Sequence, residues 1–290
     1  MTRVLITNDD GIRAPGIRWL AQAAFDAGMD VVVAAPDYEA SGASAALTAV
    51  YKDGRLAIAP ATIADVGVTA FSVQASPAYI MVLAGLGTFG PPPDIVLSGI
   101  NRGANAGYAT LHSGTVGAAL TAANQGSCAM AVSLDVLSAL GADPATGGAT
   151  LAQRLDALDD EGLEWATAAH LAGTLLGQLS GLPDGTILNL NVPNRPLATL
   201  PGVRMASLAP FGQVQMAIAE SGEGFVRTAI QDNSDRSLEG TDLALLAQGY
   251  ATVTPIRSIR AVEDVKLDLP PDRDEPSLFG ELSNPSRTVE

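Results

Sequence analysis

Short apolar runs that end abruptly in Asn, Asp and Pro alternate with stretches of helical spacing over the first half of the chain. Arg3 to Thr7 predicts a buried strand, broken by Asn8-Asp9-Asp10-Gly11. Ile17 to Ala27 carries Ile17, Leu20, Ala21, Ala24 and Phe25 at helical spacing, and Gly28 closes it as a C-terminal cap would. Met29 to Ala35 predicts a second strand, ended by Pro36-Asp37. Strand, helix and strand within about 35 residues make a βαβ unit, so the sheet begins parallel.

Further along, Ala45 to Ala59 alternates imperfectly and predicts strands or a hairpin around Lys52-Asp53-Gly54. Ser76 to Leu86 predicts a helix with Pro77 in its first turn. Ile95 to Leu97 and Ala129 to Leu134 predict buried strands, with a small-residue helix, Thr115 to Asn124, between them. Residues 136–163 change character, with Asp159-Asp160-Glu161-Gly162 near their end. They predict an exposed insertion or loop, partly helical around Leu151 to Leu158. Glu164 to Leu179 predicts a helix and Thr186 to Val192 a strand.

The organisation expected is an α/β core of the doubly wound, mainly parallel kind over residues 1–196. A smaller β-rich part with an oligomerisation role follows over 197–267, then a flexible tail or exchanged arm over 268–290. Hydrophobic residues make up 47% of the 290, aromatics only 4%, so the core is one of Ala, Val, Leu and Ile. Such side chains suit a parallel sheet covered on both faces by helices.

Charge narrows the function classes. Sixteen Lys and Arg against 31 Asp and Glu give −15, which argues against a nucleic-acid polymer or an anionic membrane as partner. It would also repel a small anionic substrate unless a cation sits in the site. Cys128 is the one cysteine, so no intrachain disulfide or thiolate zinc site can form, and a small buried apolar role is expected for it. The N-terminus turns acidic too early for a signal or transit sequence. The longest apolar run, Ala78 to Phe89, is too short to span a bilayer. A cytoplasmic protein is expected.

Four segments carry candidate chemistry. Asp9 and Asp10 follow the first strand, where carboxylates can aim at a hard cation. Ser41-Gly42-Ala43-Ser44 follows the second, with hydroxyls and amides for a cation or an anion. Asn101 and Asn105 lie in the glycine-rich segment Ser98 to Gly107 after a buried strand. Ser113-Gly114-Thr115 opens the Ala-rich helix, where free amides and the helix dipole favour an anion. Taken singly, each segment is also a turn, a polar loop, a glycine-rich loop or an ordinary N-cap. Together, three strand ends and one helix start supply oxygens for a cation and amides for a phosphate. No G-x-x-x-x-G-K-[ST] or G-x-S-x-G is present, which disfavours a nucleoside triphosphatase and an α/β-hydrolase. Gly85-Leu86-Gly87-Thr88-Phe89-Gly90 spells G-x-G-x-x-G but closes the helix expected over Ser76 to Leu86 instead of opening one after a strand, which disfavours a dinucleotide oxidoreductase.

The segments Val4 to Gly11 with Ala14-Pro15-Gly16-Ile17, Ala35-Pro36-Asp37 with Ser41 to Ser44, Ser98 to Asn105, and Ser113 to Ala119 resemble, in order, signatures of the SurE (survival protein E) nucleotidases. Leu188-Asn189-Leu190-Asn191-Val192-Pro193, Gly240-Thr241-Asp242, Gly249-Tyr250 and Thr254-Pro255 continue the match to about residue 257. The resemblance implies a Rossmann-like core with a smaller β-rich part, assembled as homodimers or homotetramers through exchanged C-terminal elements. It implies a metal-dependent phosphomonoesterase acting on nucleoside 5′- and 3′-monophosphates, with one divalent ion per subunit held by Asp9, Asp10, Ser41 and Asn101. Asn105, Ser113, Gly114 and Thr115 would hold the phosphate, and Asp9, Asp10 and Asn105 would carry catalysis. An all-oxygen ligand set favours Mg²⁺ or Mn²⁺ over Zn²⁺.

The expected chemistry is attack by a metal-activated water oriented by Asp9 or Asp10, with an aspartyl-phosphate on Asp9 as the competing route. Two departures stand out. Where the family often has an acidic pair and a tyrosine, this chain has Tyr108-Ala109-Thr110-Leu111-His112, and the 136–163 insertion is long. His112 is either a substitute proton donor or an ordinary packed or solvent-facing residue. A nucleotide- or metal-binding module without turnover is the alternative function, and an oligomeric scaffold whose motifs are only turns is a third.

Overall fold

A computed structural model describes residues 1–137, 158–212, 214–232 and 238–261. Its first half runs β1 (Arg3–Thr7), α1 (Pro15–Asp26), β2 (Asp30–Pro36), β3 (Tyr51–Lys52), β4 (Arg55–Leu56), β5 (Ile58–Ala61), β6 (Thr69–Val73), α2 (Pro77–Gly85) and β7 (Ile95–Arg102). Then come α3 (Gly114–Asn124), β8 (Cys128–Asp135), α4 (Trp165–Leu175), β9 (Thr186–Pro193), β10 (Val203–Met205), β11 (Val214–Gly222), β12 (Phe225–Asp232), α5 (Asp242–Ala247) and β13 (Ala251–Arg257).

Nine strands form one sheet in the order β10-β13-β9-β8-β7-β1-β2-β6-β5. The six from β9 to β6 are mutually parallel, while β5 and β13 pair antiparallel at its flanks. The doubly wound, mainly parallel α/β fold read from the apolar runs is the fold observed. β3 and β4 make the small hairpin expected around Lys52-Asp53-Gly54. Of the stretch expected as a smaller β-rich part, β10 and β13 extend the main sheet, and β11 and β12 pair only with each other.

Residues Met1–Ser258 form one compact unit and Ile259–Glu290 a second, whose described part ends at residue 261. The tail expected over 268–290 lies outside the described residues, as do 138–157 of the expected insertion. The end of that insertion is a 3₁₀ turn, Asp160–Gly162.

Each face of the sheet is covered by helices. Ile17 and Leu20 of α1 and Trp165 and Leu171 of α4 pack on Val4, Ile6, Leu97 and Leu190. On the other face, Ile80 and Met81 of α2 and Val116 and Ala119 of α3 pack on Leu5, Val32, Val96 and Ala129. Burying a side chain such as Ile17 or Leu20 is worth about 1.5–3 kcal/mol. The helix α1 keeps Ile17, Leu20, Ala21 and Ala24 buried as its spacing predicts, but Phe25 is 49% exposed. At 3.6 residues per turn Phe25 sits about 80° from Ile17, on the flank of the apolar stripe. Cys128 is half-buried rather than buried, because it opens β8 at the amino edge of the sheet; burial and the Asp94 and Asp184 charges push its thiol up.

The chain leaves β1 for one side of the sheet through β2 and β6, then crosses to the other side for β7, β8 and β9. The carboxyl ends of β1 and β7 therefore flank a switch point, where loops diverge and leave a crevice.

Candidate active site

Asp9 and Asp10 stand at that crevice because Asn8 shapes the turn beneath them. The Asn8 side chain is fully buried, donates to the Gly11 carbonyl at 3.0 Å and accepts the Gly11 N–H at 3.2 Å. Asn8 is thus the turn residue of the segment, and the two carboxylates are free to face the cleft. The loop after β2 is stitched to this turn, with Ala40 N–H donating to the Asp9 carbonyl at 2.7 Å and Ile12 N–H to that of Pro36 at 2.8 Å.

The cleft has a volume of about 370 Å³ and brings together Asp9, Asp10, Ser41, Asn101, Asn105 and Ser113. Six of the eight residues predicted for metal or phosphate thus line one space. Gly114 and Thr115 lie immediately behind Ser113, at the start of α3. Glu39, Gly42, Arg102, Ala109 and His112 complete the lining.

Asp9 is buried against the start of α3. Its Oδ1 accepts the Thr115 hydroxyl, and the Gly114 and Thr115 amides also pull its carboxyl down. These are the amides expected to cradle phosphate; in this structure they face Asp9. Desolvation outweighs them, and Asp9 is raised above the ordinary carboxylate range. Asp10 is pushed up to about 7, first by burial and then by the neighbouring Asp9 charge, against a pull down from the Arg102 amide and guanidinium. Contact is close here: a Cβ on Gly114 would lie 2.7 Å from Asp9 Oδ2, so any side chain at 114 would displace the carboxylate.

The Thr115 hydroxyl also lies 3.2 Å from Asn101 Oδ1. Asn101 is held with that oxygen towards Asp9 because its Nδ2 donates to the Gly103 carbonyl at 2.7 Å. A hydroxyl has one hydrogen, so it serves only one of the two oxygens at a time. The register of β7 against β8 shifts between Ser98 and Asn101, and such a bulge re-aims the side chains that follow. Ser41 sits at the exposed rim, where its Oγ donates to Glu39 at 2.9 Å. Ser113 caps α3, its Oγ accepting the Val116 N–H at 3.1 Å.

Asn105 belongs to a different kind of network. Its Nδ2 donates to Ser133 Oγ at 2.9 Å and its backbone N–H to Asn191 Oδ1 at 2.8 Å. Its carbonyl accepts from Asn189 at 2.7 Å and from Asn191 at 3.0 Å. Asn189 and Asn191 are two residues apart on β9 and so project from the same face. The segment after Asn105 is pinned by Asp242, fully buried at the start of α5. Its Oδ2 accepts the Gly107 N–H at 2.7 Å, and its Oδ1 accepts those of Ala209 and Leu243, each at 2.9 Å. Gly107 has φ +61, and a Cβ there would collide with the Phe211 carbonyl, so only glycine fits.

Residue chemistry alone did not assign roles to Glu39, Arg102, Ser133, Asn189, Asn191 or Asp242. The Asn-x-Asn alternation on a buried strand was a usable signal, since two amides on one sheet face need partners. Asp242 is marked only by the resemblance of Gly240-Thr241-Asp242, which gives it no role, because its partner Gly107 is 135 positions away.

The donor set fits a hard divalent cation: two crowded carboxylates and an amide oxygen converge, with a hydroxyl at the rim. Among the described residues no group of three or more His, Cys, Asp and Glu is placed to hold a metal. A cation here would rest on two carboxylates and neutral oxygens.

A doubly wound α/β protein with an acidic, amide-rimmed cleft at its switch point is the class that fold and site define. The chain matches the family model "Survival protein SurE" over residues 4–213. It is 35% identical over 259 residues to the 5′-nucleotidase SurE of Geobacter metallireducens, covering 88% of this chain and 90% of that one. It is 34% identical over 262 residues to the 5′/3′-nucleotidase SurE of Yersinia enterocolitica, covering 89% and 92%. The crystal structure of the SurE protein from Aquifex aeolicus is similar at TM-score 0.65 and 26% identity, over 88% of this chain and 93% of that one. The chain belongs to the SurE family. No helix among its described residues is long and apolar enough to cross a membrane.

Proposed function

We propose that this protein is a metal-dependent phosphomonoesterase that releases phosphate from nucleoside 5′- and 3′-monophosphates. The observation that carries the reading is the meeting of Asp9, Asp10 and the Asn101 oxygen with the start of α3 in one cleft. The names of the relatives, 5′-nucleotidase and 5′/3′-nucleotidase, supply the substrate class.

Asp9, Asp10, Asn101 and, from the rim, Ser41 would hold one Mg²⁺ or Mn²⁺ per chain. A divalent ion so held supplies positive charge for the phosphoryl oxygens and lowers the pKa of a bound water. That charge offsets the repulsion an acidic protein exerts on an anionic substrate. Asp9 and Asp10 orient the attacking water and take its proton. Asn105 and the Ser113–Thr115 segment hold the phosphoryl group, Asn105 through an amide fixed by Ser133 and a backbone fixed by Asn189 and Asn191. The protein acts on small molecules as a soluble cytoplasmic homodimer or homotetramer.

The test is phosphate release from a panel of 5′- and 3′-nucleoside monophosphates with Mg²⁺ or Mn²⁺, repeated in EDTA and with Asp9→Asn. Release that needs metal and collapses in the variant is expected. Folded protein that binds the metal and releases nothing would overturn the reading.

A further inference from the structure

His112 ends the 3₁₀ turn Gly107–His112 and lines the same cleft as Asp9, Asp10 and Asn105. It directly precedes Ser113, which caps α3, so it stands beside the segment assigned to the phosphoryl group. Asp9 is 3% exposed and forms the floor of the cleft, whereas His112 is exposed at the mouth.

This difference in depth has a chemical consequence. In an in-line displacement the entering and leaving oxygens lie on opposite sides of phosphorus. The attacking water belongs on the carboxylate side, at the floor. A nucleoside is too large for that floor, so the ribose oxygen that leaves faces the mouth. An alkoxide is a poor leaving group, and a positioned proton donor there speeds its departure.

Asp9 and Asp10 belong to the water side; among the other polar lining residues, only His112 is suited to give a proton up. Arg102 donates hydrogen bonds but keeps its protons. The Asn101 and Asn105 amides do likewise. Glu39 accepts the Ser41 hydroxyl, and the Ser113 oxygen is fixed by Val116 N–H. Thr115, behind Ser113, spends its hydroxyl hydrogen on Asp9 or Asn101. The His112 imidazole has no hydrogen-bond partner among the described residues, so its ring can turn onto a substrate.

We propose that His112 is the general acid of the reaction and protonates the ribose oxygen as it leaves. The assignment rests on the phosphomonoesterase reading above. The water oxygen forms the new P–O bond and its proton passes to the Asp9–Asp10 side. The bond from phosphorus to the ribose oxygen breaks, its electron pair stays on that oxygen, and the His112 proton is transferred there. Nucleoside and inorganic phosphate leave, and solvent returns the proton to His112.

The experiment compares two leaving groups with Mn²⁺ present: adenosine 5′-monophosphate, whose leaving oxygen needs a proton, and p-nitrophenyl phosphate, whose phenolate leaves without one. His112→Ala and His112→Gln should each lose about 100-fold or more in kcat on the nucleotide. They should lose less than a tenth as much on the p-nitrophenyl ester. His170→Ala, on the exposed face of α4, is the histidine control and should match wild type on both. Equal losses on the two esters, no loss on the nucleotide, or restored nucleotide turnover in His112→Gln would overturn the acid role while leaving the esterase reading intact. Wild-type protein that hydrolyses neither ester would overturn both.

Discussion

The floor of the cleft and the amide network beside it are built from adjacent strand ends, yet they solve opposite problems. At the floor, Asp9 and Asp10 are buried next to each other, both raised above the ordinary carboxylate range, Asp10 to about 7. Around Asn105, four neutral hydrogen bonds of 2.7–3.0 Å close among Asn105, Ser133, Asn189 and Asn191, and the Asp242 carboxylate extends the chain of contacts to Gly107 at 2.7 Å. The first region stores electrostatic tension that a bound cation would relieve. The second holds its shape through hydrogen bonds paired within it, Asn189 Oδ1 being the atom of the network left without a partner among the described residues. The proposed chemistry falls on the tense region and the proposed positioning on the hydrogen-bonded one.

The comparison breaks most visibly at the carboxylates. Asp9→Asn or Asp10→Asn should lower kcat/KM for nucleotide hydrolysis by about three orders of magnitude, roughly 4 kcal/mol. Steady-state phosphate release checks this. The same Asp10→Asn change should make the metal-free protein more stable at neutral pH. A carboxyl whose folded pKa is raised favours folding while protonated, and that stability is lost as pH rises from about 4 to about 7. Melting curves in EDTA should show the midpoint falling over that window in wild type and falling less in the variant.

The hydrogen-bonded region should respond in the opposite sense. Asn191→Ala strips the Asn105 N–H of its acceptor and should cost about 1–3 kcal/mol of stability, read by denaturant unfolding, with roughly tenfold lower turnover. Asp242→Asn replaces an oxygen that accepts a backbone N–H with an amide that cannot accept it, and should cost a similar or slightly smaller amount. Ser41→Ala should be the mildest. An exposed hydroxyl already shared with Glu39 contributes little, and metal affinity should weaken by less than about tenfold.

Much of this was legible in the chain. Apolar runs ending in Asn-Asp and Pro-Asp announced parallel strands, because a strand buried on both faces must be continuously apolar and must stop where polar groups reach solvent. The same logic placed Asp9, Asp10 and Asn101 at strand ends, and Ser113 at a helix start. What stayed hidden depended on register and distance. The continuation of the sheet through β13 and β10 follows from antiparallel pairing of Thr254 with Asn189, which no local pattern encodes. The clamp of Asp242 on Gly107 joins residues far apart in sequence. The orientation of the Gly114 and Thr115 amides onto Asp9 comes from how closely α3 approaches β1, and glycine at 114 shows only that something must come near.

The central claim is that Asp9 and Asp10 form a single cation site. Calorimetric titration of Mn²⁺ into EDTA-treated, dialysed protein at pH 8 and pH 6 tests it most directly, with Asp10→Asn alongside. One ion per chain should bind at pH 8 and more weakly at pH 6, by up to about tenfold, because a carboxyl pushed up to about 7 must shed its proton to accept the metal. The variant should bind weakly and with little pH dependence. Equal affinity in Asp10→Asn and wild type, or no Mn²⁺ bound at pH 8, would contradict the account.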